Sequence, residues 1–173
     1  RWNHIYNGKL FSNMTVIYSD FSYNLGVPQG SDGFKWRSNI IDYSFKNDYT
    51  YYLNPDNTIK FGIQTTYHTL KPGVSEDMGE ESFILALKFP EAYSIESAIF
   101  ASNEQTINSK ISLLYGLRFS MFNNIGEGTI YNFNEDYSLK DSSYYKQGNI
   151  FNSYTGWEPR LGIRYAINNR SFF

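Results

Sequence analysis

Seven aromatic side chains, Tyr131, Phe133, Tyr137, Tyr144, Tyr145, Phe151 and Tyr154, crowd the stretch 123–155 among Asn, Ser and Gly. Rings presented in polar surroundings suit stacking against a sugar, a peptide or an aromatic chelate. Packing of a loop on itself explains the same residues equally well. A second constellation is ionic: Glu96, Lys110, Arg118, Glu158, Arg160 and Arg164 fall on the polar parity of alternating segments. Side chains so placed either pair across strands or line a polar path. A third, acidic, set comprises Glu76-Asp77 and Glu80-Glu81. Paired carboxylates can serve glycoside hydrolysis or calcium binding. In a run of like charges a solvated face is the plainer reading.

Other chemistry is absent from the sequence. It holds two histidines, His4 and His68, and no cysteine. There is no His-Glu-x-x-His or paired Cys/His spacing, so no metal or other cofactor is expected. Nucleophile elbow, phosphate loop and dinucleotide fingerprint are missing too, and no enzyme is expected. A net charge of −2 over 173 residues gives no polybasic signature, which argues against nucleic acid.

The elements that would carry these residues are strands. In 107–122, Ile107, Ile111, Leu113, Tyr115, Leu117, Phe119 and Met121 share one parity, and Asn108, Lys110, Ser112, Gly116, Arg118 and Ser120 the other. Successive strand side chains point to opposite faces, so one face is apolar and one polar. Five more segments alternate: 10–23, where Ile17 interrupts the polar parity, 36–53, 58–70, 91–102 and 156–167. Each is longer than the ~5–6 residues usual in soluble sheets and long enough for the ~9–11 that cross a bilayer at a tilt. Aromatics at 19% of the residues would supply interfacial girdles.

Connections alternate in length. Asn7-Gly8-Lys9, Asn54-Pro55-Asp56-Asn57, Asn103-Glu104-Gln105-Thr106 and Asn168-Asn169-Arg170 read as short turns. The stretches 24–35, 71–90 and 123–155 read as long loops, with a short strand or helix open for 83–89. Short periplasmic turns and long external loops mark an outer-membrane barrel. The chain opens on Arg1-Trp2-Asn3 and closes on Ser171-Phe172-Phe173, beside strands. It is therefore expected to be an excerpt of something longer, because about six strands cannot close a barrel that needs ~8 or more. A soluble β-sandwich that binds carbohydrate is the competing reading, since its strands alternate too.

Three segments carry a resemblance. RWNHIYNGKLFSNMTVIYSDFSY at 1–23, YGLRFSMF at 115–122 and YTGWEPRLGIRYAINNRS at 154–171 resemble the barrel of TonB-dependent outer-membrane receptors. The subgroup is the one with a carboxypeptidase-regulatory-like domain ahead of its plug. Glu158-Pro159-Arg160-Leu161-Gly162, followed by Arg164-Tyr165, is the most specific part. The resemblance implies an all-β fold in which 1–173 is a segment of a transmembrane antiparallel barrel, about six to eight strands of roughly 22. The plug domain would lie outside this segment. It further implies the outer membrane of a Gram-negative bacterium and import of a scarce or bulky nutrient of the siderophore, oligosaccharide or peptide class. Partners would be outer-membrane lipid, the rest of the barrel with its plug, TonB, and a surface lipoprotein. Some relatives of this barrel type instead scaffold secretion or surface-protein complexes, which is the alternative function.

Overall fold

The computed structural model describes residues 1–27, 34–77, 87–168 and 171–172. These form an all-β, antiparallel structure without helix. In chain order the strands are β1 (Trp2–Ile5), β2 (Leu10–Val27), β3 (Phe34–Asn54), β4 (Asn57–Asp77), β5 (Leu87–Lys88) and β6 (Ala92–Thr106). They continue with β7 (Ile111–Ile125), β8 (Gly128–Phe133), β9 (Leu139–Tyr145), β10 (Ile150–Asn168) and β11 (Ser171–Phe172). One sheet runs β1-β2-β3-β4-β6-β7-β10-β11, with β5 against β4, and β8–β9 form a separate hairpin. The sheet is not closed.

Register divides the side chains cleanly. Asp42, His68 and Ser94 lie in one cross-strand row, and Arg118 pairs with Phe100 on one side and Glu158 on the other. This polar face holds every charged residue of the windows 41–51, 57–69, 93–105, 111–125 and 153–165. The opposite face is free of charge over those windows and carries rows such as Asn47, Ile63, Ile99, Phe119 and Trp157. Ile17 lies on the polar face beside Ser44, where the sequence placed its exception.

No second layer covers the apolar face among the described residues. Among the described residues no large side chain is fully buried, and the buried apolar side chains are Ala98 and Ile125. Leu161 remains 76% exposed, Trp157 67% and Ile99 57%. A sandwich would hide these residues between two sheets. No such second sheet stands over them among the described residues.

Several boundaries differ from the sequence reading. The 24–35 loop is mostly strand, because β2 continues to Val27 and β3 starts at Phe34. Lys71 to Asp77, read as loop, continues β4. A bulge makes that possible: Asn39 pairs with Lys71 and Arg37 with Val74, so Pro72 and Gly73 stand opposite Ser38 alone. A bulge tolerates a residue without an N–H, and Ser38 donates to the Pro72 carbonyl at 2.5 Å. Trp36 lies directly over Gly73, which leaves no room for a Cβ. From the 83–89 segment, Leu87–Lys88 is strand; 83–86 lie outside the described residues.

The turn read at 103–106 is displaced to Ile107–Lys110, since β6 runs to Thr106. Asn108 Oδ1 accepts from the N–H groups of Lys110 and Ile111 at 2.9 and 3.0 Å. Asn7 does the same for Lys9 and Leu10, both at 2.9 Å. The two turns share the order Asn-x-Lys, an Asx turn that satisfies backbone donors the ladder leaves open. Asn54 Oδ1 accepts from Asp56 N–H at 3.0 Å in the third such turn. Of the turn read at 168–170, Asn168 ends β10, and 169–170 lie outside the described residues.

Candidate functional site

Two groups of side chains stand out, one on the polar face and one beyond the end of the sheet opposite the Asn-x-Lys turns. On the polar face β6, β7 and β10 bring charges of opposite sign side by side. Arg118 Nη2 is 4.0 Å from Glu96 Oε1, and Arg118 Nε is 3.5 Å from Glu158 Oε1. Glu158 Oε2 also accepts from Arg160 Nη2 at 3.4 Å, while Ser120 donates to Oε1. Arg118 Nε has no hydrogen bond of good geometry, so its link to Glu158 is ionic. Arg164 lies in the same polar row as Ser112. Lys110 sits in the Ile107–Lys110 turn instead, outside the ladder that unites the other five. Further along the face, His68 Nδ1 is 2.8 Å from Asp42 Oδ1. His4 lies between the rings of Trp2 and Tyr6, on the apolar face. The two histidines are therefore not brought together.

Polar side chains on the apolar face bond to one another. Thr65 and Ser97 share a hydroxyl hydrogen bond of 3.0 Å across β4 and β6. Asn47 donates to Tyr49, Asn103 to Asn57 and Tyr115, and Ser153 to Asn123. Oδ1 of Asn47 and of Asn103 find no partner.

The 123–155 segment, read as loop, contains the β8–β9 hairpin, and β7 and β10 reach into it. Pairing of Thr129 with Tyr144 and of Tyr131 with Ser142 places Tyr131, Phe133 and Tyr144 on one hairpin face. Tyr145 lies on the other, with its ring 5.3 Å from Phe151. Tyr154 contacts Phe122 on the polar face at 6.5 Å. Tyr137 occupies the hairpin tip at φ 63°, 89% exposed. Asp136 anchors this tip: its Oδ1 accepts from Ser138 Oγ at 2.6 Å and Ser138 N–H at 3.1 Å. Those bonds hold its carboxyl below the usual range. The seven aromatics thus divide between four places and do not form one cluster.

The hairpin face looks onto the start of β6 across a cleft of about 370 Å³. Pro90, Glu91 and Tyr93 form one wall, and Glu127, Gly128, Thr129, Tyr131 and Tyr144 the other. Tyr93 donates to Glu91 and Tyr144 to Glu127, each at 2.9 Å. The bond to Glu127 raises the Tyr144 phenol above its usual pKa. Glu91, Tyr93 and Glu127 were not singled out from the sequence. The available signal was Glu127 between Gly126 and Gly128, a carboxylate set at the mouth of a hairpin. Of the acidic run, Glu76 and Asp77 pair with β3 as strand residues, while Glu80 and Glu81 lie outside the described residues. No family model, curated protein or solved structure matches this chain.

Proposed function

We propose that this chain is a wall segment of an outer-membrane β-barrel of the TonB-dependent receptor type, serving import of a scarce or bulky nutrient. The observation that carries the reading is the apolar face, charge-free over the central windows of five strands and uncovered by any second layer among the described residues. Soluble monomers rarely expose contiguous apolar patches larger than a few hundred Å². Lipid is the solvent that fits this face.

Aromatic rings border this face at both ends. Tyr18, Tyr43, Tyr67 and Tyr93 form a row over β2, β3, β4 and β6, with ring contacts Tyr18–Tyr43 at 5.2 Å and Tyr67–Tyr93 at 6.4 Å. Near the short turns stand Tyr6, Tyr49, Tyr51, Tyr115 and Tyr165. From Tyr43 to Tyr51 the strand advances ~26 Å. Tilted by ~40°, that spans ~20 Å of depth, close to the ~25 Å apolar band of such barrels. Asp20, the charge on the apolar side of β2, sits just past Tyr18 and is bonded by Tyr18 and Asn39. The internal pairing of Thr65 with Ser97 and of Asn103 with Tyr115 fits a medium that offers no other partner.

The arrangement of connections supports the same reading. Residues 55–56 and 107–110 turn tightly at one end, while β5 and the β8–β9 hairpin extend the connections at the other. In lipid the open edges at β1 and β11 would leave N–H and C=O groups unpaired at several kcal/mol each. Further strands must therefore continue the sheet on both sides. The charges of the polar face, including Glu96, Arg118, Glu158, Arg160 and Arg164, would then face the lumen. Resemblance of 154–171 to TonB-dependent receptors supplies the transport part of the proposal.

Fractionating cells that make the native protein, then comparing gel mobility before and after boiling, tests this reading. The expected result is an outer-membrane protein much larger than 173 residues whose band shifts on boiling. A buffer-soluble protein of about this length would overturn it.

A further inference from the structure

We infer that the cleft between the start of β6 and the β8–β9 hairpin binds an organic cation carrying a primary ammonium or guanidinium group. The inference rests on the receptor reading only for what the site would serve; the chemistry belongs to the cleft. Its volume of about 370 Å³ stands near the lower end of the ~300–1,000 Å³ of small-molecule sites.

The walls offer acceptors and ring faces. The hydroxyl protons of Tyr93 and Tyr144 are committed to Glu91 and Glu127, so each phenol oxygen presents lone pairs to the cleft. Among the lining side chains that leaves Thr129 and Tyr131 as donors. Glu91 is partly neutralised by Lys71 Nζ at 3.7 Å, whereas Glu127 has no ion pair with a cation among the described residues. An uncompensated carboxylate beside the rings of Tyr131 and Tyr144 is what an ammonium or guanidinium recognises, through charge and through the ring quadrupole.

Glu127 and Tyr144 are placed by strand geometry. Tyr144 is held in β9 opposite Thr129, which fixes its hydroxyl toward the chain entering β8, where Glu127 stands. The hairpin thereby carries one wall of the cleft and the ladder of β6 the other.

The test is titration calorimetry of the full-length detergent-solubilised protein with 1,5-diaminopentane, using 1,5-pentanediol as the neutral isostere. Saturable binding of the diamine and none of the diol is expected. Glu127→Gln keeps an acceptor for Tyr144 and should weaken the diamine at least about tenfold, whereas Glu104→Gln at the far end of β6 should leave it unchanged. Equal binding of diol and diamine, or an unchanged affinity in Glu127→Gln, overturns the cation assignment. The same preparations are run boiled and unboiled on a gel. A heat-modifiable barrel that ignores the diamine removes only the cleft proposal. A diamine-binding protein without that signature removes the barrel reading and leaves the cleft standing.

Discussion

Ile99→Arg should cost the folded, membrane-inserted protein about 2–4 kcal/mol, the penalty for Arg at mid-depth on the lipid face of a barrel. Ile99 is 57% exposed and lies in the row between Ile63 and Phe119, midway between the aromatic borders. In water the same change at so exposed a site would stay within ~0.5 kcal/mol. Leu113→Arg supplies the depth control. Leu113 pairs with Gln105 and Ile163 near the Ile107–Lys110 turn, so its penalty should fall to ~0–1 kcal/mol. Guanidinium unfolding of the full-length protein in lipid vesicles measures both. Costs below ~0.5 kcal/mol at each position would mean that the apolar face does not meet lipid.

Replacing Arg118 by Leu is the second large effect. Arg118 is one-fifth exposed and stands between Glu96 on β6 and Glu158 on β10. Its loss leaves two carboxylates flanking an apolar side chain, with only Arg160 and Ser120 still serving Glu158. Arg118 holds the two carboxylates by charge, and ion pairs open to solvent are worth ~0.2–1 kcal/mol each, at the upper end where one partner is mostly buried and the pairs form a network. A loss of about 1–2 kcal/mol is expected, smaller in high salt. Adding Glu158→Gln to Arg118→Leu should recover part of it, so the double variant departs from additivity by more than ~0.5 kcal/mol. Strict additivity would mean that the two residues are neighbours without coupling.

Sequence alternation carried the central part of the fold. In β3 and β4 it located Tyr43 through Tyr51 against Ile59 through Tyr67, and the turn at Pro55-Asp56 followed from residue type. It failed where backbone pairing outlasts side-chain pattern. Residues 24–27, 34–35 and 71–77 are strand because each ladder hydrogen bond depends on the backbone, which Gly26, Pro72 and Gly73 do not prevent once a bulge absorbs the extra residue. The turn misplaced at 103–106 failed for a different reason. Asn103 and Gln105 put polar groups on the apolar parity, and Asn103 is accommodated there by Tyr115 and Asn57. The Asn-x-Lys order, already visible at Asn7-Gly8-Lys9, marks the true turn at Asn108. The five strand-borne charges were legible as one face. Glu91 and Glu127 were not, because a cleft between two hairpins is a tertiary feature that no local pattern encodes.

The central claim is that one face of this sheet meets lipid and the other does not. The 173 residues contain no cysteine, so single cysteines can be introduced from 94 to 102 along β6 within this segment. Spin labels at these positions, in the full-length protein in bilayers, are read by collision with oxygen and with a water-soluble nickel chelate. The account predicts a two-residue period: oxygen-accessible at 95, 97, 99 and 101, chelate-accessible or sheltered at 94, 96, 98, 100 and 102. Chelate access at 97 and 99 equal to that at 96 would contradict it.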